Sequence, residues 1–162
     1  MEYSFTLKYQ LADSNQNMDA LVERLGEAGC DDALAGIGQP GRFALAFTRE
    51  AVSAEAAMRS ALSDVYKAAP LARLIEAAPD LVGLTDVAEV VGLSRQNMRK
   101  LMLAHSKSFP VPVHEGSTTL WHLADVLTWL DARGSYNLDR GIVSVAQAAM
   151  QINIAKEQQR AP

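Results

Sequence analysis

One segment in the second half has the pattern of two short helices: Leu84-Thr-Asp-Val-Ala-Glu-Val-Val-Gly-Leu-Ser-Arg-Gln-Asn-Met-Arg-Lys-Leu-Met102. Thr85 can cap a short helix that begins at Asp86, whose carboxylate suits the positive end of the helix dipole. Gly92 breaks this helix, and Ser94 can cap a second helix directly after it. Two short helices joined at a glycine predict a helix-turn-helix.

The outer face of the second predicted helix carries no acid. Apolar residues are placed where the two helices would cross: Val87, Ala88, Val91, Leu93, Met98 and Leu101. The residues left pointing outward are Arg95, Gln96, Asn97, Arg99 and Lys100. Arg pairs with guanine, Gln and Asn pair with adenine, and Lys binds backbone phosphates. An ordinary solvated face mixes acids with bases, so this one predicts a surface that reads DNA.

The charge of the chain is unevenly distributed. Residues 1–79 contain seven Lys/Arg and eleven Asp/Glu, which accounts for the whole net charge of −4, and residues 80–162 contain eight of each. No acid occurs between Val90 and His114. The overall acidity therefore belongs to the first half, and a local basic patch surrounds the predicted second helix.

A small hairpin is predicted after this helix. Phe109-Pro-Val-Pro-Val113 is too rich in proline for a helix and predicts an extended chain. Glu115-Gly-Ser-Thr118 is a turn signal, and Thr119-Leu-Trp121 can be the returning strand. Apolar residues at helical spacing then predict another helix that ends near Gly134: Leu123, Val126, Leu127 and Leu130.

Together these segments resemble the winged-helix DNA-binding domains of the MerR and phage-excisionase type. The resemblance implies that Ser94–Lys100 enters the major groove and that the hairpin around His114–Thr118 touches the backbone or the minor groove. Wings of this type often carry a basic residue at the tip, whereas this chain has Glu115. The DNA-binding residues predicted from the patch and the resemblance are Ser94, Arg95, Gln96, Asn97, Arg99, Lys100, Lys107 and His114.

The first half has the pattern β-α-β-β-α-β. Period-two alternation predicts strands at residues 3–11 and 43–48, with a shorter strand at 33–37 and an edge strand at 74–77. A first helix is predicted with its turn and N-cap at residues 13–15. Ser53 can cap a second helix with apolar residues on one face: Met58, Ala61, Leu62, Val65 and Tyr66. Gly36-Ile-Gly-Gln-Pro-Gly41 has the spacing of a dinucleotide-binding loop, but a strand follows it, so it predicts a hairpin turn.

The predicted fold class is therefore α+β with three parts. Residues 1–79 form a ferredoxin-like βαββαβ sandwich, residues 80–136 form the winged helix-turn-helix, and residues 137–162 form a helical tail. The apolar stripe of this tail can pack on its own chain or pair with another subunit.

The sequence predicts neither an enzyme nor a cofactor. The only histidines, His105, His114 and His122, lack ligand partners at metal-binding spacing, and no nucleophile motif or phosphate loop occurs. Cys30 is alone and is expected to be a small buried apolar residue. The sequence shows no basic start followed by a short apolar run, and no apolar run of membrane length. We therefore expect no leader peptide, a cytoplasmic location and no membrane partner.

Two functions follow from these patterns. The first is a transcriptional regulator that binds double-stranded DNA as a homodimer, because one recognition helix reads too few base pairs. In this function the first domain supplies dimerisation or partner binding. The alternative is a protein-interaction module, such as an antitoxin that neutralises a basic partner through the acidic first domain and autoregulates through its helix-turn-helix.

Overall fold

The computed structural model describes all 162 residues, and the fold is mixed α and β. In the first half, a four-stranded antiparallel sheet has the strand order β2-β3-β1-β4. Its elements are β1 (Glu2–Gln10), α1 (Met18–Glu27), β2 (Ala33–Ile37), β3 (Arg42–Glu50), α2 (Ala54–Ala68) and β4 (Arg73–Ala78). The second half contains β5 (Leu81–Val82), α3 (Leu84–Val91), α4 (Arg95–Ala104), β6 (Trp121–His122), α5 (Leu123–Arg133) and α6 (Arg140–Gln158).

The period-two pattern of β1 places its aromatic and aliphatic residues on one face of the sheet. Tyr3, Phe5, Leu7 and Tyr9 are buried, whereas the alternate residues are exposed or half-buried. Phe5 stacks on Phe47 of β3 with ring centres 5.2 Å apart. The predicted strands at 33–37 and 43–48 are confirmed as β2 and β3, and β4 lies at the edge as predicted. Residues 38–41, with Gly41 at a φ of 80°, form the predicted hairpin turn between β2 and β3.

Helix α6 packs against both halves of the chain. Val145, Ala149 and Ile152 are buried in the core that the sheet forms with α1 and α2. Val143 and Ala146 are buried in a second core, which includes Met98, Trp121 and the inner face of α5. The tail helix therefore packs on its own chain and joins the two cores.

A buried polar cluster fixes the junction between the halves. Asp80 is only 1% exposed, and its carboxylate lies 2.6 Å from Nδ1 of His122 and accepts a hydrogen bond from Asn153 at 2.9 Å. The backbone carbonyl of Asp80 accepts from Leu123 N at 2.7 Å. The Asp80 carboxylate thus connects the segment after β4 to β6 and to α6. A buried carboxylate is stable only when it has such partners.

A second polar cluster lies on the face of the sheet that α1 and α2 cover. The Arg49 guanidinium donates to both carboxylate oxygens of Asp32, to Asp64, to Ser60 and to the carbonyl of Gly29, over distances of 2.7 to 3.0 Å. All five of its N–H donors are therefore used. Hydrogen bonds from Arg49 hold the pKa of Asp32 below its usual range. These bonds tie the start of β2 to β3 and α2.

Cys30 behaves as the sequence predicts. It is 5% exposed and packs in the sheet core. Burial raises the pKa of its thiol to about 11, and the neighbouring negative charge of Asp64 contributes to the rise. A thiol with this pKa is protonated at neutral pH, which suits an unreactive core residue.

Three local predictions are wrong. Helix α3 begins at Leu84, and its N-cap is Gly83 rather than Thr85, because the Asp86 carboxylate accepts from Gly83 N at 3.2 Å and closes the first turn two residues earlier. Helix α1 is capped by Asn17, beyond the predicted turn at 13–15. Tyr66 is 67% exposed, because the buried stripe of α2 is narrower than predicted. No helix combines the length and apolar character needed to cross a bilayer.

Candidate nucleic-acid interface

Helix α4 is positioned by its cap and by one deeply buried residue. The Ser94 hydroxyl accepts from Asn97 N at 3.1 Å, which satisfies a free donor of the first turn. Gly92, at a φ of 74°, makes the turn from α3 in a left-handed conformation that favours glycine. Met98 is fully buried and packs in the second core with Val87 and Ala88 of α3. The opposite face of α4 is therefore directed to solvent.

The solvent face of α4 carries three cations without partners in the chain. Arg95, Arg99 and Lys100 are exposed, as are Gln96 and Asn97. The ion pairs of the molecule involve other residues, such as Arg49, Arg59 and Arg140. Because no protein group accepts from their N–H donors, the cations of α4 can bind an anionic ligand without breaking internal contacts.

The segment after α4 is held against the second core by two tryptophans. Phe109 is buried and lies edge-on to Trp121 and Trp129, with ring centres 6.0 and 5.1 Å away. Trp121 Nε1 donates to the Pro110 carbonyl at 3.0 Å, and Trp129 Nε1 donates to Ser108 at 3.2 Å. These contacts fix where the following hairpin begins.

A short hairpin spans residues 113–120. Val113 N donates to the carbonyl of Leu120 at 2.7 Å, and His114 and Leu120 form an isolated antiparallel bridge. The predicted returning strand lies slightly later, because β6 pairs with β5 through Val82 and Trp121. The hairpin is thus anchored at its base and exposed at its tip.

A groove of about 740 Å³ separates α4 from this hairpin, and we name it the α4–hairpin groove. Arg95 and Arg99 line one wall, and Ser117 and Thr118 line the other. Two acids also line it: Asp86, whose carboxylate is bonded to Gly83 N, and Glu115 near the hairpin tip. Arg95 and Arg99 are four residues apart, so they lie on the same side of the helix.

The other predicted binding residues lie outside the groove. Gln96, Asn97 and Lys100 are on the exposed front of α4, and Ser94 precedes its first turn. Lys107 is exposed in the turn after α4, and His114 is exposed at the base of the hairpin. The structure therefore brings Arg95 and Arg99 together with the hairpin, and leaves Lys107 and His114 at the periphery.

Sequence reasoning missed one cation near the end of α4. Arg133 of α5 lies 3.1 Å from Nε2 of His105, and its guanidinium stacks over Trp129 at 4.9 Å. This exposed arginine adds positive charge beside His105, which is the C-cap residue of α4 and lies two residues before Lys107 in the sequence. No sequence signal separates Arg133 from an ordinary last-turn arginine that complements a helix dipole.

Comparisons with known proteins found no match: no protein-family model, no curated protein and no solved structure is similar to this chain at a significant level. No group of three or more His, Cys, Asp or Glu side chains is placed to hold a metal ion. The geometry and charge of α4 and the hairpin are therefore the features of the molecule that bear on its function.

Proposed function

We propose that the chain is a sequence-specific DNA-binding protein, a transcriptional regulator that acts as a homodimer. In this proposal α3, α4 and the 113–120 hairpin form a winged helix-turn-helix, and the first six elements form a ferredoxin-like sandwich. The element order β-α-β-β-α-β and the sheet order β2-β3-β1-β4 support the sandwich. We also propose a cytoplasmic location for this regulator.

The proposal rests on the outer face of α4, whose charged side chains have no partners within the chain. Its cations are exposed, and no intramolecular ion pair neutralises them. An α-helix with its side chains is about 10–12 Å across, so the ten-residue α4 can enter the major groove, which is about 12 Å wide. In this proposal Arg95 in the first turn meets base edges, whereas Lys100, more than a turn later, meets phosphates.

The decisive test compares these two residues on the full-length protein. A binding site is first selected from random duplexes, and affinity is then measured by fluorescence anisotropy on the selected and a scrambled duplex over a range of salt. Arg95→Ala is expected to cost about 1–3 kcal/mol on the selected duplex and little on the scrambled one. Lys100→Ala is expected to weaken both equally and to lower the salt slope by about one.

Matched controls lie on α2. Arg59→Ala and Lys67→Ala remove the same charges from exposed positions of the sheet unit, and neither should change DNA affinity. If Arg95→Ala and Lys100→Ala cause equal losses of only a few tenths of a kcal/mol on both duplexes, the recognition role of α4 is excluded. The protein-interaction alternative, based on the acidic first half, would then be preferred.

Glu115 offers a test by gain of affinity. Its carboxylate lines the α4–hairpin groove close to where a phosphate backbone would pass. Glu115→Lys should therefore raise affinity for every duplex and steepen the salt slope by about one. The same charge reversal at Glu55, an exposed residue of α2, should leave DNA affinity unchanged.

A further inference from the structure

The two edges of the sheet differ in how they are protected. At the β4 edge, the Asn153 side chain accepts from Ala77 N at 2.8 Å and donates to the Ala77 carbonyl at 2.8 Å. Lys156 donates to the carbonyl of Ile75 on the same strand. Side chains of α6 thus occupy the backbone groups that a further strand would use, which blocks this edge.

The β2 edge has no such protection. Strand β2 pairs only with β3, and its sequence, Ala33-Leu-Ala-Gly-Ile37, contains no charge and no proline. Leu34 is 80% exposed and Ile37 is 56% exposed. Natural sheets normally guard an open edge with lysine, proline or a covering element, so an uncharged apolar edge indicates a strand that pairs with a partner.

We propose that the partner is β2 of a second copy of this chain, paired antiparallel about a two-fold axis at Ala35. This pairing would bring a second copy of α4 into the same dimer. Its biological purpose therefore rests on the proposed DNA-binding function. Antiparallel pairing about Ala35 matches all five residues of the strand with their copies. It joins two four-stranded sheets into one sheet of eight strands.

The backbone groups fit this register. Asp32 O accepts from Thr48 N of β3 at 3.1 Å, and the direction of strand N–H and C=O groups alternates along the chain. Leu34 and Gly36 therefore point their groups at β3, and Ala35 and Ile37 point theirs at the open edge. Two copies of Ala35 can exchange both of their hydrogen bonds, and Ile37 N can donate to the carbonyl of Ala33 in the other copy.

The side chains fit it as well. Each large residue comes opposite a small one, since Leu34 faces Gly36 of the other copy and Ile37 faces Ala33. Side chains directly opposite one another in an antiparallel pair lie close enough to contact. No charged residue lies between Asp32 and Arg42, so the register places no like charges across the two-fold axis. A strand with this pattern is complementary to itself.

Directed cross-linking on the full-length protein tests the register. Directly opposed residues of a hydrogen-bonded antiparallel pair have Cα atoms about 5.5 Å apart, within the range that a disulfide spans. Ala35→Cys should therefore give a covalent dimer under mild oxidation. Val52→Cys, at a 96% exposed position outside β2, should give only background, and the buried Cys30 should not compete. A failure of Ala35→Cys to cross-link above the Val52→Cys level overturns the register.

Light scattering tests the interface itself. The wild-type protein should have twice the 17.5 kDa chain mass at micromolar concentration, and Ala35→Lys, which sets two lysines face to face, should return it to 17.5 kDa. Val52→Lys should remain a dimer, and circular dichroism should show all three proteins folded. A wild-type monomer, or a dimer that Ala35→Lys leaves intact, overturns the proposal. If the wild-type protein is a monomer that still binds the selected duplex, only the β2 pairing is refuted. If it is a β2 dimer that does not bind DNA, only the DNA-binding proposal is refuted.

Discussion

Arg49 and Arg95 are both arginines, but Arg49 is buried among protein acceptors and Arg95 is exposed to solvent. Arg49 lies beneath the helix layer, donates all five of its N–H groups to protein acceptors, and is 9% exposed. Arg95 begins α4, is exposed and contributes to no ion pair. The partners of Arg49 belong to the fold, whereas Arg95 has no partner in the chain. An arginine that stabilises the protein therefore differs from an arginine whose donors are unused.

Arg49→Ala is expected to cause the largest loss of stability. It leaves two carboxylates, Asp32 and Asp64, facing each other without their shared cation. Removing one partner from a buried ion-pair cluster costs about 3 kcal/mol or more of the free energy of unfolding. Urea denaturation followed by circular dichroism measures this. Arg59→Ala, which breaks an exposed pair with Glu55, is the matched control and should cost less than about 1 kcal/mol. Equal losses in the two variants would contradict the comparison.

A second, smaller loss is expected from Asn153→Ala. The substitution leaves the N–H and carbonyl of Ala77 and one oxygen of Asp80 without partners. Unpaired buried polar groups cost about 1–3 kcal/mol, so a loss of about 2 kcal/mol is expected. Gln151→Ala changes an exposed amide on the same helix and should have almost no effect. Similar urea midpoints for the two variants would show that the amide bonds at the β4 edge do not stabilise the fold.

Acid should remove part of the contribution of Arg49. The hydrogen bonds of Arg49 lower the pKa of Asp32 in the folded state. A carboxylate with a lowered folded pKa stabilises the protein above its unfolded pKa, about 3.9, and this stability is lost as pH falls through the lower folded value. Melting temperatures measured from pH 6 downwards should therefore fall more steeply below about pH 4 in wild type than in Arg49→Ala. Parallel curves would show that Asp32 is not linked to Arg49.

The smallest change in stability is expected at the outer face of α4. Arg95→Ala, Arg99→Ala and Lys100→Ala remove exposed side chains without internal partners, so each should alter the free energy of unfolding by less than about 0.5 kcal/mol. Arg95→Ala and Lys100→Ala are also the variants in which DNA affinity is tested. A stability loss above about 1 kcal/mol in Arg95→Ala would show that this side chain serves the fold after all.

Much of the local structure could be predicted because it depends on neighbouring residues. Alternation in residues 3–11 predicted β1, and Ser94 predicted the start of α4, since a cap acts within one turn. The start of α3 was predicted wrongly for a related reason. Thr85 is a good cap in isolation, but Asp86 reaches back to Gly83 and selects an earlier first turn. Local rules rank candidates, and a single side-chain contact decides between them.

The long-range contacts could not be predicted from the patterns. The partners of Arg49 come from β2, β3 and α2, so its role exists only once these elements are assembled. The stripe of α6 showed that the helix buries one face, but it did not show that Val145 enters one core and Val143 the other. The acid-free face of α4 was visible in the sequence, whereas the groove that joins it to the hairpin required the fold.

The position of α6 has a consequence for the order in which the protein can mature. The sheet unit is complete in sequence at Ala78, yet its core includes Val145, Ala149 and Ile152, more than sixty residues later. During synthesis the ribosome must therefore produce α6 before either half can close its apolar surface. Until then the unblocked β4 edge and the open β2 edge are both exposed to other nascent chains.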